Sequence, residues 1–215
     1  KFMVKLSKKK INSIHAIFSF KQSKKVKKRF GDADIIIANN VFNHSDEPLD
    51  FLKGVNHLLK KEGIFIFEQP NFTKGVLSLK FDQIYHEHIS YFTVKNLNAL
   101  LENSGFKIQF INKNDYHGGS LRTIAVKSSS KQKKFNLSKL IQYEIKNKIY
   151  TISFYSKMMN RIYNKKIYLI DKLIRFAKEK YIICGIGAGA KSNTFLTFYG
   201  LNNGIIKFLT DVSKY

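Results

Sequence analysis

Apolar and polar positions fall in blocks along this chain, and the spacing within each block predicts its secondary structure. Ala33 to Ala38 (ADIIIA) is a continuous β-branched run, the pattern of a strand buried on both faces of a parallel sheet. It ends in a polar cluster of Asn39, Asn40, Asn43 and His44. Pro48 opens a helix with Leu49, Phe51, Leu52, Val55, Leu58 and Leu59 at helical spacing, and Gly63 is expected to close it after two lysines. Ile64 to Phe67 is a second buried strand, stopped by Pro70. Thr93 is expected to cap a helix from Val94 to Asn103 that Gly105 ends. Lys107 to Asn112 and Leu121 to Lys127 are strands joined through a Gly118-Gly119 turn.

Ahead of these blocks lie a short apolar run, Ile14 to Phe20, and a basic helical stretch, Lys21 to Phe30. Behind them, Ser128 to Lys134 (SSSKQKK) reads as a polar linker. Leu137 to Lys180 reads as a long helical region with a break expected near Asn164. The last unit is a strand from Tyr181 to Cys184, a glycine loop, a helix from Asn193 to Tyr199 and a strand from Ile205 to Leu209 that runs into Asp211. The order predicts an α/β fold whose sheet is mostly parallel and closes on an antiparallel pair, followed by a helical region and the start of a second βαβ domain. The expected division is 1–128, 129–180 and 181–215.

Composition changes this picture in two places. The 215 residues carry 38 Lys plus Arg against 15 Asp plus Glu, a net charge of +23, on a chain that is 44% hydrophobic. Such a chain folds, and its charge suggests a nucleic-acid surface. The basic set argues against that partner, because only Arg29, Arg122, Arg161 and Arg175 are arginines, and Arg is preferred for forked contacts to phosphates and base edges. Cys184 is alone, so neither an internal disulfide nor a Cys-based zinc site is available within these residues, and a cytoplasmic setting is expected. No run reaches the ~20 apolar residues of a membrane span, and the start lacks a signal-peptide pattern. A first residue Lys1 and a last residue Tyr215 directly after a strand suggest an internal piece of a longer protein.

Three constellations carry candidate chemistry. The first is the polar end of the ADIIIA strand, because ligands of open α/β sheets bind outside the carboxyl ends of strands; an ordinary Asn-rich turn gives the same pattern. The second is Phe81 to Phe92 (FDQIYHEHISYF), which gathers Tyr85, His86, Glu87, His88 and Tyr91. A histidine is the usual general base near neutrality, and a carboxylate or phenol beside it can orient it or hold developing charge. A satisfied polar loop is the plain alternative; a metal site of His86, Glu87 and His88 is disfavoured by the opposed directions of adjacent residues. The third is Gly185 to Ser192 (GIGAGAKS), a glycine-rich turn between strand and helix that meets neither the P-loop nor the dinucleotide fingerprint in full.

The runs ADIIIANNVFNH (33–44), YHEH (85–88), HGGSLR (117–122) and GIGAGAKSNT (185–194) occur in an order that resembles the nucleotide-sugar C-methyltransferases. The resemblance implies a Rossmann-like methyltransferase sheet and transfer of a methyl from S-adenosylmethionine to C3 of a 4-keto deoxyhexose carried on a nucleotide. It implies that His88 is the base, that Tyr85 and Glu87 orient the sugar and stabilise the enolate, and that His44 faces the same pocket. Asn39 and Asn40 would lie against the cofactor, with His117, Arg122, Lys191 and Asn193 on the substrate side or in the packing of the two domains. The family's N-terminal zinc module and its glycine-rich cofactor loop have no counterpart here, so the resemblance implies a piece lacking the first strands, with zinc only in the missing module. An O-methyltransferase of another small molecule and a basic binding module built on the long helical region are the alternatives.

Overall fold

The computed structural model describes residues 11–211, which fall into two compact units. The first takes the chain up to Gln69, Lys95–Asn114 and Leu121–Phe135; the second takes Pro70–Val94, Asp115–Ser120 and the chain from Asn136 onward. This differs from the division expected at residues 128 and 180. The segment with the YHEH run leaves the sheet at Pro70 and groups with the C-terminal helices, so the units interleave in sequence. In chain order the elements are α1 (Phe20–Phe30), β1 (Ala33–Asn39), α2 (Pro48–Leu58), β2 (Leu59–Pro70), α3 (Phe72–Leu77), α4 (Val94–Asn103), β3 (Phe106–Asn114) and β4 (Ser120–Lys127). They continue with α5 (Ser138–Lys146), α6 (Ile152–Lys178), β5 (Ile183–Ile186), α7 (Ala190–Tyr199) and β6 (Ile206–Thr210).

In the first unit the sheet order is β1-β2-β4-β3, with β1 and β2 parallel. The Asn71 N–H, just past β2, donates to Gly119 O, just before β4, and the Ser128 N–H, just past β4, donates to Gly105 O, just before β3. Strand β4 therefore runs against both neighbours, and the other three run one way, as the sequence predicted. Helix α1 starts at Ser19, whose hydroxyl accepts the Gln22 N–H at 3.1 Å, and Asp50 of α2 accepts the Phe20 N–H at 2.9 Å. One face of the sheet buries an aromatic cluster. Phe65 and Phe67 stack at 4.7 Å, with Phe42, Phe51 and Phe106 at 5.6, 6.5 and 6.1 Å from one or the other.

The opposite face departs from expectation. Ile35 and Ile37 are 55% and 65% exposed, so β1 is a sheet edge covered on one side only among the described residues. The helix expected to reach Gly63 also ends sooner, at Leu58, because Leu59 turns extended and begins β2. Gly63 lies inside that strand at a close approach, where a Cβ would sit 2.9 Å from Asp34 O and from the Leu59 side chain. The polar run read as a linker is tied down: Ser130 is buried and donates to Glu62 Oε2 at 2.7 Å, and Phe135 N–H bonds Ile108 O at 2.8 Å.

In the second unit, α3 had no counterpart in the sequence pattern; Asn71 caps it by accepting the Lys74 N–H at 3.1 Å. The long helical region breaks at residues 147–151 and not near Asn164, through which α6 runs without interruption. Lys148 takes a left-handed φ of 57°, Ile149 is buried, and the Thr151 hydroxyl accepts from Phe154 N–H to start α6. Asn164 is exposed and costs the helix little. Val76, Ile149, Met158 and Ile162 form the core of this unit, with Phe72, Phe81 and Phe198 packed on it. Strands β5 and β6 pair in parallel around α7; both begin a residue or two later than expected, while α7 begins at Ala190, ahead of Asn193.

Replacing Phe65 by Ala removes a fully buried ring and is expected to cost about 3–5 kcal/mol. Ile35→Ala on the open face is expected to cost under about 1 kcal/mol. Paired urea unfolding curves check the contrast, and equal losses would show that the open face is packed.

Candidate active site

The YHEH run lies on the irregular segment between α3 and α4, within the second unit. A short 3-10 turn, Phe81–Gln83, turns the chain, and buried Gln83 then uses its carbonyl as an anchor. Its oxygen accepts the Tyr91 hydroxyl at 3.3 Å and lies 3.0 Å from His88 Nδ1. A carbonyl only accepts, so in the neutral ring the proton sits on Nδ1 and the lone pair on Nε2. Tyr85 packs its ring 4.5 Å from that of His88 and donates to Glu87 Oε2 at 3.4 Å. Burial, with the neighbouring Glu87 charge, pushes the Tyr85 phenol above its ordinary range, and it stays a donor at neutral pH. Tyr85, Glu87 and His88 therefore lie side by side on this segment. His86 is exposed, 3.9 Å from Glu87. Among the described residues no group of three or more His, Cys, Asp and Glu is placed to hold a metal.

What holds this segment is a residue the sequence did not single out. Glu144 of α5 is 2% exposed, and its carboxylate accepts the Thr73 hydroxyl at 2.8 Å, the Val94 N–H at 2.7 Å and the Tyr150 hydroxyl. Tyr150 also reaches Thr93 Oγ1 at 3.2 Å. Thr73 precedes the YHEH run and Thr93 and Val94 follow it, so one carboxylate fixes both ends of the segment. The Val94 N–H, in the first turn of α4 where no acceptor lies within the helix, is satisfied by Glu144. Burial and the bond to Glu144 raise the Tyr150 phenol well above its ordinary value.

The other predicted residues are distributed as follows. Asn39 ends β1 in register with Glu68 of β2, and Asn40 follows in a left-handed conformation with φ 50°, its N–H donating to Glu68 O at 2.8 Å. His44 closes the 3-10 turn Phe42–His44. These three belong to the first unit and Tyr85, Glu87 and His88 to the second. Arg122 is committed to Glu68, whose side chain is 5% exposed, through Nε and Nη2 contacts of 2.8 Å each. His117 lies in the turn Tyr116–Gly118. Lys191 and Ser192 line a hollow of about 360 Å³ with Asp82, Gly185 and Gly187, while Asn193 is exposed. Asp211 accepts the Ala188 N–H of the glycine loop.

Two further residues stand out at the strand ends. Asn43 and Gln69 are each 1% exposed, and none of their four amide atoms has a partner among the described residues. Buried amides are nearly always bonded, so their presence just past β1 and within the carboxyl end of β2 fits a polar ligand at this edge. Asn43 was within the polar cluster of the sequence; Gln69 gave no signal, because Pro70 made it read as the end of a strand.

Residues 5–109 match the family described as a methyltransferase domain, the class to which this sheet with polar strand ends corresponds. Residues 115–215 match the family described as the C-methyltransferase C-terminal domain, so the two matches follow one another along the chain. It is similar to C-methyltransferase NovU of Streptomyces niveus, with 24% identity over 204 residues, 94% of this chain and 49% of the relative. The chain thus spans about half the length of that curated relative. Among solved structures, a SAM-dependent methyltransferase from Anabaena variabilis shares 15% identity at a TM-score of 0.42, covering 59% of this chain and 65% of that one. Magnesium protoporphyrin IX methyltransferase from Synechocystis, solved with bound SAH, shares 19% at 0.36, covering 45% of each. Among the described residues no helix is long and apolar enough to cross a membrane.

Two outcomes test the clamp. Glu144→Ala leaves buried donors unpaired and is expected to lower stability by about 2–4 kcal/mol, with Glu144→Gln losing less because an amide oxygen still accepts; urea midpoints compare them. The raised Tyr150 value sets a pH dependence. Its contribution is complete below the ordinary tyrosine pKa of about 10 and is lost as pH rises through the higher folded value. The stability gap between wild type and Tyr150→Phe should therefore narrow above pH ~10, as followed by unfolding across that range; a constant gap would contradict the assignment.

Proposed function

We propose that this chain contains the proton-abstracting half of an S-adenosylmethionine-dependent C-methyltransferase that acts at C3 of a 4-keto sugar linked to a nucleotide. The observation that carries the reading is the His88 geometry: Nδ1 held 3.0 Å from Gln83 O leaves Nε2 as the basic atom. A proton next to a ketone is acidic enough for an imidazole to remove if the forming enolate oxygen receives a hydrogen bond. Tyr85, kept protonated beside His88, is the donor in this reading, and Glu87 fixes the phenol's direction.

S-adenosylmethionine, when bound, supplies the electrophilic methyl group. Asn39 and Asn40 at the end of β1, with the unpartnered amides of Asn43 and Gln69, are the groups proposed to hold or face it. His44 is proposed to line the same pocket. On the substrate side the reading assigns His117, Lys191 and Asn193, with Arg122 acting from its bond to Glu68. The family matches and the relative support the methyltransferase class; the sugar and its C3 position rest on the resemblance of the four motifs.

The test uses the full protein that carries this chain. His88→Ala is expected to abolish both methyl transfer and solvent deuterium exchange at C3 of a 4-keto nucleotide sugar, and Tyr85→Phe to slow exchange by about 10²–10³. Exchange at the wild-type rate in His88→Ala removes His88 as the base. A product with its methyl on oxygen, read from its carbon chemical shift, removes the C-methyl reading.

A further inference from the structure

Among the helices of the first unit lies a hollow of about 490 Å³ that none of the candidate chemistry uses. Phe20 of α1, Leu49, Lys53 and His57 of α2, and Asn103 and Ser104 at the end of α4 line it. Its three elements are tied to one another. The Phe20 N–H donates to Asp50 of α2 at 2.9 Å, Lys27 Nζ of α1 donates to His57 O at 3.2 Å, and Asn56 Nδ2 of α2 donates to Ser104 O at 3.0 Å. A hollow braced in this way is ready-made and needs little ordering to be filled.

Its chemistry is apolar inside and cationic at the border. Leu49 is 58% exposed, and the half-buried Phe20 ring has the His57 ring edge-on at 5.4 Å. The Lys24 and Lys53 ammonium groups, one from each helix, both lie 4.5 Å from the centre of the Phe20 ring. An aromatic face attracts a cation, so two long side chains are held beside the hollow without an acid. Helix α1 contains no acid at all, α2 contains only Asp50, which is bonded to the Phe20 N–H, and α4 only Glu102, which is paired with Lys134. Lys21, Lys24, Lys25, Lys28, Arg29 and Lys53 are exposed and form no ion pair among the described residues. Water solvates each of them, so the fold needs no partner there; what sets the place apart is an apolar strip with fixed cations along it.

We propose that this hollow docks an acidic segment of a partner protein. Carboxylates of the segment lie at Lys24 and Lys53, one apolar side chain lies against Leu49 and the edge of the Phe20 ring, and the exposed Asn103 amide is within the hollow for the segment's backbone. Charge complementarity selects the partner's sign, and the apolar strip selects a peptide over other polyanions. A nucleic acid fits less well, because two ammonium groups and His57 already occupy the surroundings of the one aromatic ring on which a base would stack. A bilayer surface is flat and does not enter a hollow. The proposal is independent of the methyl-transfer reading.

The experiment is fluorescence anisotropy of the full chain with a labelled peptide of glutamates interrupted by leucines, and with an all-glutamate peptide of equal length. The leucine-containing peptide is expected to bind more tightly, and its binding to weaken with salt. Lys24→Glu/Lys53→Glu is expected to weaken it about tenfold or more, and Lys165→Glu/Lys178→Glu, an equal charge change at exposed sites on α6, about threefold or less. Leu49→Ser should cost affinity for the leucine-containing peptide and none for all-glutamate. Circular dichroism checks each fold, and Lys24→Gln/Lys53→Gln replaces the reversed pair if that pair melts early. Equal losses in the two double variants reduce the binding to attraction by net charge and overturn the proposal. Absent peptide binding, or an unaltered leucine preference in Leu49→Ser, overturns it as well. Duplex DNA or phosphatidylserine vesicles that lose more affinity than the peptide in the Lys24/Lys53 variant would assign the surface to a nucleic acid or a membrane instead.

Discussion

Burying a carboxylate is among the costlier things a small fold can do, and in this chain the Glu144 carboxylate is placed where that cost secures the segment with the candidate chemistry. Its oxygens take the Thr73 hydroxyl, the Val94 N–H and the Tyr150 hydroxyl, which come from both ends of the segment and from the turn before α6. Between those ends, the chain from α3 to α4 has no strand and only one short 3-10 turn to order it. An irregular loop with so little regular hydrogen bonding would open easily unless held at its ends. The Gln83 carbonyl then does locally what Glu144 does at the ends, gathering Tyr91 and His88 around one acceptor. Orientation of the imidazole is thus a consequence of two nested anchors, both acceptors.

The first unit shows the opposite condition at its strand ends. Asn43 and Gln69 are as deeply buried as Glu144, yet their amides have no partner among the described residues. Buried amides are nearly always bonded, and in the reading proposed above a ligand at the strand ends takes up these four atoms. The same unit leaves Ile35 and Ile37 of β1 exposed while Phe65 and Phe67 on the other face are sealed. A strand as apolar as ADIIIA suits a sheet covered on both sides. The exposed side of β1 lies at the edge of the sheet, and the open amides lie just past β1 and in β2 beside it.

How much of this was legible depended on sequence distance. Strand β1, helix α4 and the β3–β4 pair were read correctly because each is specified by its own pattern: a β-branched run, a helical stripe closed by glycine, and a Gly-Gly turn. The YHEH cluster was visible for the same reason, since its members are neighbours. The end of α2 was misread because Leu58 and Leu59 continue the helical stripe, and only packing against Gly63 and β1 turns Leu59 extended. The break at residues 147–151 was missed because Asn164 looked the weaker link; burial of Ile149 and capping by Thr151 decided it. Glu144 was invisible because its partners Thr73 and Val94 lie 71 and 50 residues away. The same distance hid the Arg122–Glu68 pair and the anchoring of the Ser128–Lys134 run by Glu62.

Charge follows a related logic. With 38 bases and 15 acids, most lysines have no acid to meet, and those that do form exposed pairs such as Lys60–Asp34, worth little each. Net charge by itself says nothing about function, and the scarcity of arginine argued against a nucleic-acid track. Where the unpaired charges gather is more telling than their sum: Lys146, Lys148, Lys157 and Arg161 line one groove that no acidic side chain enters, and because all four are exposed each is solvated by water and none needs a partner for the fold to stand.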